Sequence, residues 1–143
     1  EIEYNLYEAG LARPKVKAAD FHGKEAYVQQ RELETQAAYL CTFELGDTTD
    51  SNGVIRYPVG NWPILDRDTK HVIVDSHGRR SYTTSMAYGP SLGKNIAMGY
   101  LPADKAVEGD VVLIEYFGEH YDATVMKVGY GALLDPTNER PRS

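Results

Sequence analysis

The sequence predicts a mainly β fold, an antiparallel β-barrel or jelly roll with one short helix near the N-terminus. Three observations lead there. Strand-length runs bounded by turn residues recur at short intervals from Ile64 onward. A helical period appears only once, across Lys24 to Leu33. Eleven Tyr against three Phe and one Trp make an aromatic complement that suits pleated, half-buried surfaces better than a helical bundle.

Taken in order, residues 1–20 show no sustained period and contain Pro14, so they read as an extended lead-in. Asp20-Phe21-His22-Gly23 precede Lys24 to Leu33, mostly good helix formers, with Ala26, Tyr27, Gln30 and Leu33 at helical spacings. Ala37 to Leu45 carries aromatic and β-branched residues and reads as a strand. The turn-rich run Gly46 to Gly53 closes it. Further strands are expected at Lys70 to Val74, Arg80 to Thr84, Asn95 to Leu101, Val111 to Phe117 and Tyr121 to Val128. Asp75-Ser76-His77-Gly78 and Gly118-Glu119-His120 are hairpin joints, and Asp104 to Gly109 is a charged connection. A meander of this density with one helix favours a closed barrel or sandwich over an α/β sheet, because closure removes exposed strand edges. Gly129 to Ser143, with two Pro and several charges, reads as a tail. The expected organisation is a lead-in over 1–20, a barrel over 21–128 and a tail over 129–143.

The 143 residues include 15 Lys+Arg and 21 Asp+Glu, a net charge of −6, and fit one ordinary domain. Acidity without a basic run argues against nucleic acid or an anionic membrane as the main partner. The longest apolar stretches, such as Val111 to Ile114, fall far short of the roughly 20 residues that span a bilayer. A single cysteine, Cys41, forms no intrachain disulfide; it sits in an apolar run and reads as an inert buried thiol, compatible with a reducing, cytoplasmic setting.

Candidate chemical motifs resolve into ordinary structure. Gly89-Pro90-Ser91-Leu92-Gly93 satisfies G-x-S-x-G, but a nucleophile elbow needs a helix directly after it, and Asn95 to Leu101 reads as a strand. A tight structural turn with an unreactive Ser91 is expected. Gly93-Lys94 lacks the spacing and the Ser or Thr of a phosphate-binding loop. Thr48, Asp50, Asn52 and Gly53 imitate half of a calcium loop, yet the twelfth position is Val59, where a bidentate Glu is required. His22, His71, His77 and His120 are scattered without a completing Cys or carboxylate cluster, so no metal is expected. No catalytic residue is assigned.

Several segments, in order, resemble the C-terminal barrel of the glycine-cleavage T-protein (aminomethyltransferase) family. Glu8-Ala9-Gly10-Leu11 followed by Asp20-Phe21-His22-Gly23-Lys24-Glu25-Ala26 resembles the family's passage into that barrel. Gly60-Asn61-Trp62-Pro63-Ile64-Leu65 is similar to a following strand. The long block Thr83 to Met98, with Tyr88-Gly89-Pro90-Ser91-Leu92-Gly93-Lys94-Asn95-Ile96-Ala97-Met98 at its centre, is the most specific part. Asp135-Pro136-Thr137-Asn138-Glu139-Arg140 resembles the ending of the O-demethylase and dimethylglycine/sarcosine dehydrogenase branches.

The resemblance implies a barrel that packs on upstream folate-binding domains of the same chain and closes the cleft of a tetrahydrofolate-dependent aminomethyl or methyl transferase or demethylase. Tetrahydrofolate would be bound mainly by those domains, and the barrel alone would be inactive. The opening Glu1-Ile2-Glu3-Tyr4, in mid-pattern and without Met, agrees with a segment of such a protein. One cofactor contact is implied here, Arg140 toward the polyglutamate end of the folate. The alternative is a free-standing β-barrel binding module with no catalytic role.

Overall fold

In a computed structural model the chain is described over residues 3–12, 16–33, 35–57 and 59–129. Apolar residues at alternate positions bury one face of each long strand, because successive side chains point to opposite faces. On β1 (Ala38–Leu45) these are Cys41, Phe43 and Leu45; on β6 (Glu119–Val128) they are Tyr121, Ala123 and Val125. Ala97 and Leu101 of β4 (Lys94–Pro102) and Val112 and Ile114 of β5 (Val111–Tyr116) complete the wall. With Ile64 of the short β2 (Ile64–Leu65) and Ile73, they form the hydrophobic core. The remaining strand, β3 (Thr83–Gly89), is largely exposed.

The six strands make one antiparallel half-barrel in the order β2-β5-β6-β1-β4-β3. Its edges meet at one end. Pro63 bridges Tyr82, the Thr83 N–H donates to the Trp62 carbonyl at 2.8 Å, and the Ile64 N–H donates to the Ser81 carbonyl at 3.0 Å. Opposite Thr42 and Phe43 of β1 the partner shifts from Lys127 to Val125, which leaves Met126 of β6 as the extra residue of a bulge and adds the bend that curling requires. Gly99 of β4 is the closest approach. A Cβ there would lie 2.6 Å from the Tyr82 carbonyl oxygen and 2.8 Å from Ile64 Cδ1, so a side chain would wedge β4 away from the closing edge.

The single helix among the described residues, α1 (Lys24–Arg31), buries none of its residues and begins at Gly23 with φ 81° and no side-chain cap. It stays on the molecule through Tyr27, whose ring packs 5.3 Å from that of Tyr7, and through Gln30, whose carbonyl accepts from Gln36 Nε2 at 3.0 Å.

Four expectations shift. The helix stops at Arg31 rather than Leu33. Lys70 to Val74 is not a strand: Asp66 Oδ1 accepts the N–H groups of Asp68 and Thr69, Lys70 takes φ 61°, and only the isolated bridges Leu65–Val72 and Val74–Arg80 remain. The expected Arg80 to Thr84 strand begins at Thr83 and runs to Gly89 instead. The last hairpin turns at Phe117-Gly118, both at positive φ, which places Glu119 and His120 inside β6. The Gly129 N–H donates to the Leu40 carbonyl at 2.8 Å; the rest of the expected tail, Arg140 included, lies outside the described residues.

Replacing Gly99 with Ala should cost about 1–3 kcal/mol, the range for forcing extra atoms into a packed site. Gly46→Ala, whose nearest contact would be an ordinary 3.6 Å, should change stability by no more than about 0.5 kcal/mol. Urea unfolding of both variants checks the contrast.

Candidate functional site

The most elaborate polar assembly among the described residues is built on a turn. In Asp75-Ser76-His77-Gly78-Arg79, the Asp75 side chain accepts the N–H groups of His77 and Arg79, each at 2.9 Å, while Gly78 at φ 77° closes the loop through its N–H to the Asp75 carbonyl. That loop delivers the Arg79 guanidinium to Asp75, with Nε donating to Oδ2 at 2.6 Å. The other side of the fork meets Glu8 from the opposite end of the chain, Nη2 donating to Oε1 at 2.5 Å and Nη1 to Oε2 at 3.2 Å. Nη1 also donates to the Glu3 carbonyl.

Glu8 is fixed from its own side. Its carboxylate accepts the Asn5 N–H at 2.9 Å, and its carbonyl accepts the Leu40 N–H of β1 at 2.7 Å. Tyr4 lies over the guanidinium at 4.2 Å and stacks on Tyr100 of β4 with centroids 3.5 Å apart. The side chains of Glu8 and Asp75 are each only 3% exposed, and that of Arg79 15%. Burial pushes both carboxyl pKa values up, but hydrogen bonds from Arg79 and from backbone N–H groups outweigh it, holding both below the ordinary carboxylate range. The paired carboxylates in turn raise the pKa of Arg79, against its burial.

Beside this assembly opens a cleft of about 760 Å³, walled by Asn5, Glu8, Gln36, His77, Pro102 and Asp104 among others. Gln36 spans its rear, accepting from Asn5 Nδ2 at 2.9 Å. Of the two carboxylates on the cleft wall, Glu8 is ionised and engaged by Arg79, so it offers neither a free base nor a proton donor at neutral pH. The arrangement holds polypeptide segments together.

The motifs singled out in the sequence lie in turns and in the core. Leu92 and Gly93 N–H groups both donate to the Gly89 carbonyl at 2.9 Å, and β4 starts at Lys94, so Ser91 has no following helix to activate it. Asp50 accepts the N–H groups of Asn52 and Val54 and pairs with Arg56 at 2.6 Å, which fills the carboxylate a calcium loop would need. Cys41 is fully buried, and burial pushes its thiol pKa up to about 12. Among the described residues no group of three His, Cys, Asp or Glu could hold a metal ion. The Glu8–Arg79–Asp75 assembly is absent from the sequence reading. Asp75 to Gly78 was legible as a turn and Glu8 as part of a motif, but nothing local links positions 71 residues apart.

Replacing Arg79 with Ala leaves two buried carboxylates unpaired and should cost about 3–5 kcal/mol. The pH dependence follows from the depressed pKa values. In the native chain the carboxylates' contribution is complete above their ordinary values, 3.8 for Asp75 and 4.5 for Glu8, and is lost as pH falls through the lower folded values. In the variant the guanidinium's bonds are gone and only the backbone N–H groups still oppose burial, so both folded pKa values lie above those of the native chain. The stability gap between the two proteins should therefore narrow as pH falls from 6 toward 3, measured by urea unfolding at several pH values.

Residues 58–128 match the family model of the glycine cleavage T-protein C-terminal barrel domain. The chain is 27% identical to the aminomethyltransferase of Koribacter versatilis over 125 residues, covering 87% of this chain and 29% of that protein. It is 28% identical to the mitochondrial dimethylglycine dehydrogenase of Rattus norvegicus, covering 87% of this chain and 12% of the relative. A crystal structure of the glycine cleavage system aminomethyltransferase T from Bartonella henselae shares the fold with a TM-score of 0.65 at 21% identity, over 87% of this chain and 31% of that one. The chain thus spans less than a third of the length of these relatives. Over residues 58–128 the strand alternation and the half-barrel agree with the C-terminal barrel domain of the glycine cleavage T-protein family.

Proposed function

We propose that this barrel is the C-terminal domain of a tetrahydrofolate-dependent aminomethyl or methyl transferase, packing on upstream folate-binding domains of the same polypeptide and closing one wall of the folate cleft. The observation that carries the reading is the family match over residues 58–128 in a chain that covers 29% of an aminomethyltransferase relative. The chemistry of the described residues supports a supporting role: their buried carboxylates are held by Arg79 and Arg56, their thiol is buried, and their one serine motif forms a turn.

Within the family, the reading leans toward the demethylase or dehydrogenase branch acting on N-methyl or O-methyl substrates. The Asp135 to Arg140 ending supports that lean, and a dimethylglycine dehydrogenase stands beside aminomethyltransferases among the relatives. No helix among the described residues is long and apolar enough to cross a membrane, and the reading carries a cytoplasmic location.

Calorimetry tests the division of labour. The full-length parent should bind tetrahydrofolate, whereas the 143-residue chain should show no submicromolar binding, because a pocket lacking most of its walls cannot bury most of the ligand. Submicromolar binding by the chain alone would contradict the reading.

The reading also keeps Arg140 as a contact for the folate glutamates. An Arg140→Ala variant of the parent should raise KM for polyglutamyl folate roughly tenfold or more, the loss of a charge-assisted hydrogen bond worth about 1.5–3 kcal/mol, with little change for the monoglutamyl form. An equal rise in both, or none, would remove Arg140 from the site.

A further inference from the structure

We infer that Asn52, at the tip of the loop bridged by Thr49 and Ile55, is a site of spontaneous deamidation whose rate is set by how often its turn opens. The inference goes beyond the family role and does not depend on it.

The step is chemically complete with water alone. The Gly53 backbone nitrogen loses its proton and attacks Cγ of Asn52, forming a C–N bond that closes a succinimide ring. The bond from Cγ to the side-chain nitrogen breaks, and that nitrogen takes up a proton and leaves as ammonia. Water then opens the ring at either carbonyl, giving aspartate or isoaspartate at position 52. Nothing is oxidised or reduced.

Five asparagines occur in the chain, and the residue after each decides how closely the attacking nitrogen can approach. Leu6, Trp62, Ile96 and Glu139 follow four of them and crowd that approach with a side chain, whereas Gly53 follows Asn52. A Cβ placed on Gly53 would meet nothing within 4 Å, so no neighbouring residue obstructs the ring that forms. Asn52 is exposed, and its side-chain amide makes no hydrogen bond among the described residues.

The turn restrains the step. The Gly53 N–H, whose proton must be lost, donates to the Asp50 carbonyl at 2.9 Å. The Asp50 carboxylate accepts the N–H groups of Asn52 and Val54, each at 2.9 Å, and is itself held by Arg56 at 2.6 Å. From the other side, Ser51 donates its N–H at 3.3 Å and its hydroxyl at 2.5 Å to one oxygen of Glu119. Attack therefore waits for the turn to open. Residues 51–55 are all exposed, which places this turn among the segments that open locally at far less cost than global unfolding.

Either product alters the loop. Aspartate takes the net charge from −6 to −7 and sets a second carboxylate two residues from Asp50 and beside Ser51, which Glu119 holds. Isoaspartate routes the main chain through the former side chain, lengthening the turn by one carbon and displacing the Gly53 N–H from the Asp50 carbonyl.

Peptide mapping by mass spectrometry tests this on the 143-residue chain, incubated at mildly alkaline pH both folded and unfolded in guanidinium chloride. Position 52 should exchange its amide for an acid and give two separable products, at least about fivefold more slowly in the folded chain than in the unfolded one. Asp50→Ala removes two of the turn's bonds, and the milder Ser51→Ala removes the hydroxyl bond to Glu119. Each should speed conversion of the folded chain at least about twofold, and Asn52→Gln should end it. Equal rates in the folded and unfolded chains, or rates unchanged by both loosening substitutions, would overturn control by the turn. Conversion in the unfolded chain, with none in the folded native chain or in either loosened variant, would overturn the site.

Discussion

A guanidinium buried between two carboxylates is the constraint on which the rest of this structure depends. Arg79 joins Glu8, in the lead-in, to Asp75, in a hairpin turn, with all three side chains largely removed from water. Desolvating three charges costs several kcal/mol for each ion, so the arrangement persists only because every side of the fork is met. The Asx turn at Asp75, the Asn5 N–H on Glu8 and the Tyr4 ring over the guanidinium supply those partners. The Leu40 N–H reaching the Glu8 carbonyl then carries the constraint into β1, and the Tyr4–Tyr100 stack carries it into β4. Residues before the helix therefore share the barrel's frame.

A second constraint shapes the sheet itself. Six strands curl far enough for residues 61–64 to meet 81–83, and Gly99 is the position where the closing edge passes too near for a side chain. Inward-facing Cys41, Phe43, Ile114, Ala123 and Val125 fill the concave side. The interior is thus a packed core, and the buried carboxylates Glu8, Asp50 and Asp75 are each held by an arginine. A frame of this kind holds its outward surfaces in fixed positions, which suits the supporting role proposed for it.

Much of the fold was legible in the sequence where one face is buried. Strands β1, β4, β5 and β6 were read to within a few residues because their apolar residues line one wall of the core. Thr83 to Gly89 was misplaced because its only buried residue is Thr83, so no alternation marks it. Lys70 to Val74 imitated a strand through Val72 and Val74, yet both side chains face solvent and the Asp66 turn bends the chain ahead of them. Family resemblance, carried by the Thr83 to Met98 block, supplied what periodicity could not. The Glu8–Arg79–Asp75 assembly was invisible to both, since the ion pair is created by topology rather than by local pattern.

Native-state hydrogen exchange tests the central claim most directly, read at the amides of Ala9, Leu11 and Leu40, which donate to Asn5, Leu6 and Glu8 carbonyls. If Arg79 makes the lead-in part of the barrel, these amides open with the same free energy as those of the β1 core and respond to denaturant with the same slope. Opening of the three amides far below the global value, with the core amides still protected, would show that the lead-in moves independently and that the buried triad does not bind it to the barrel.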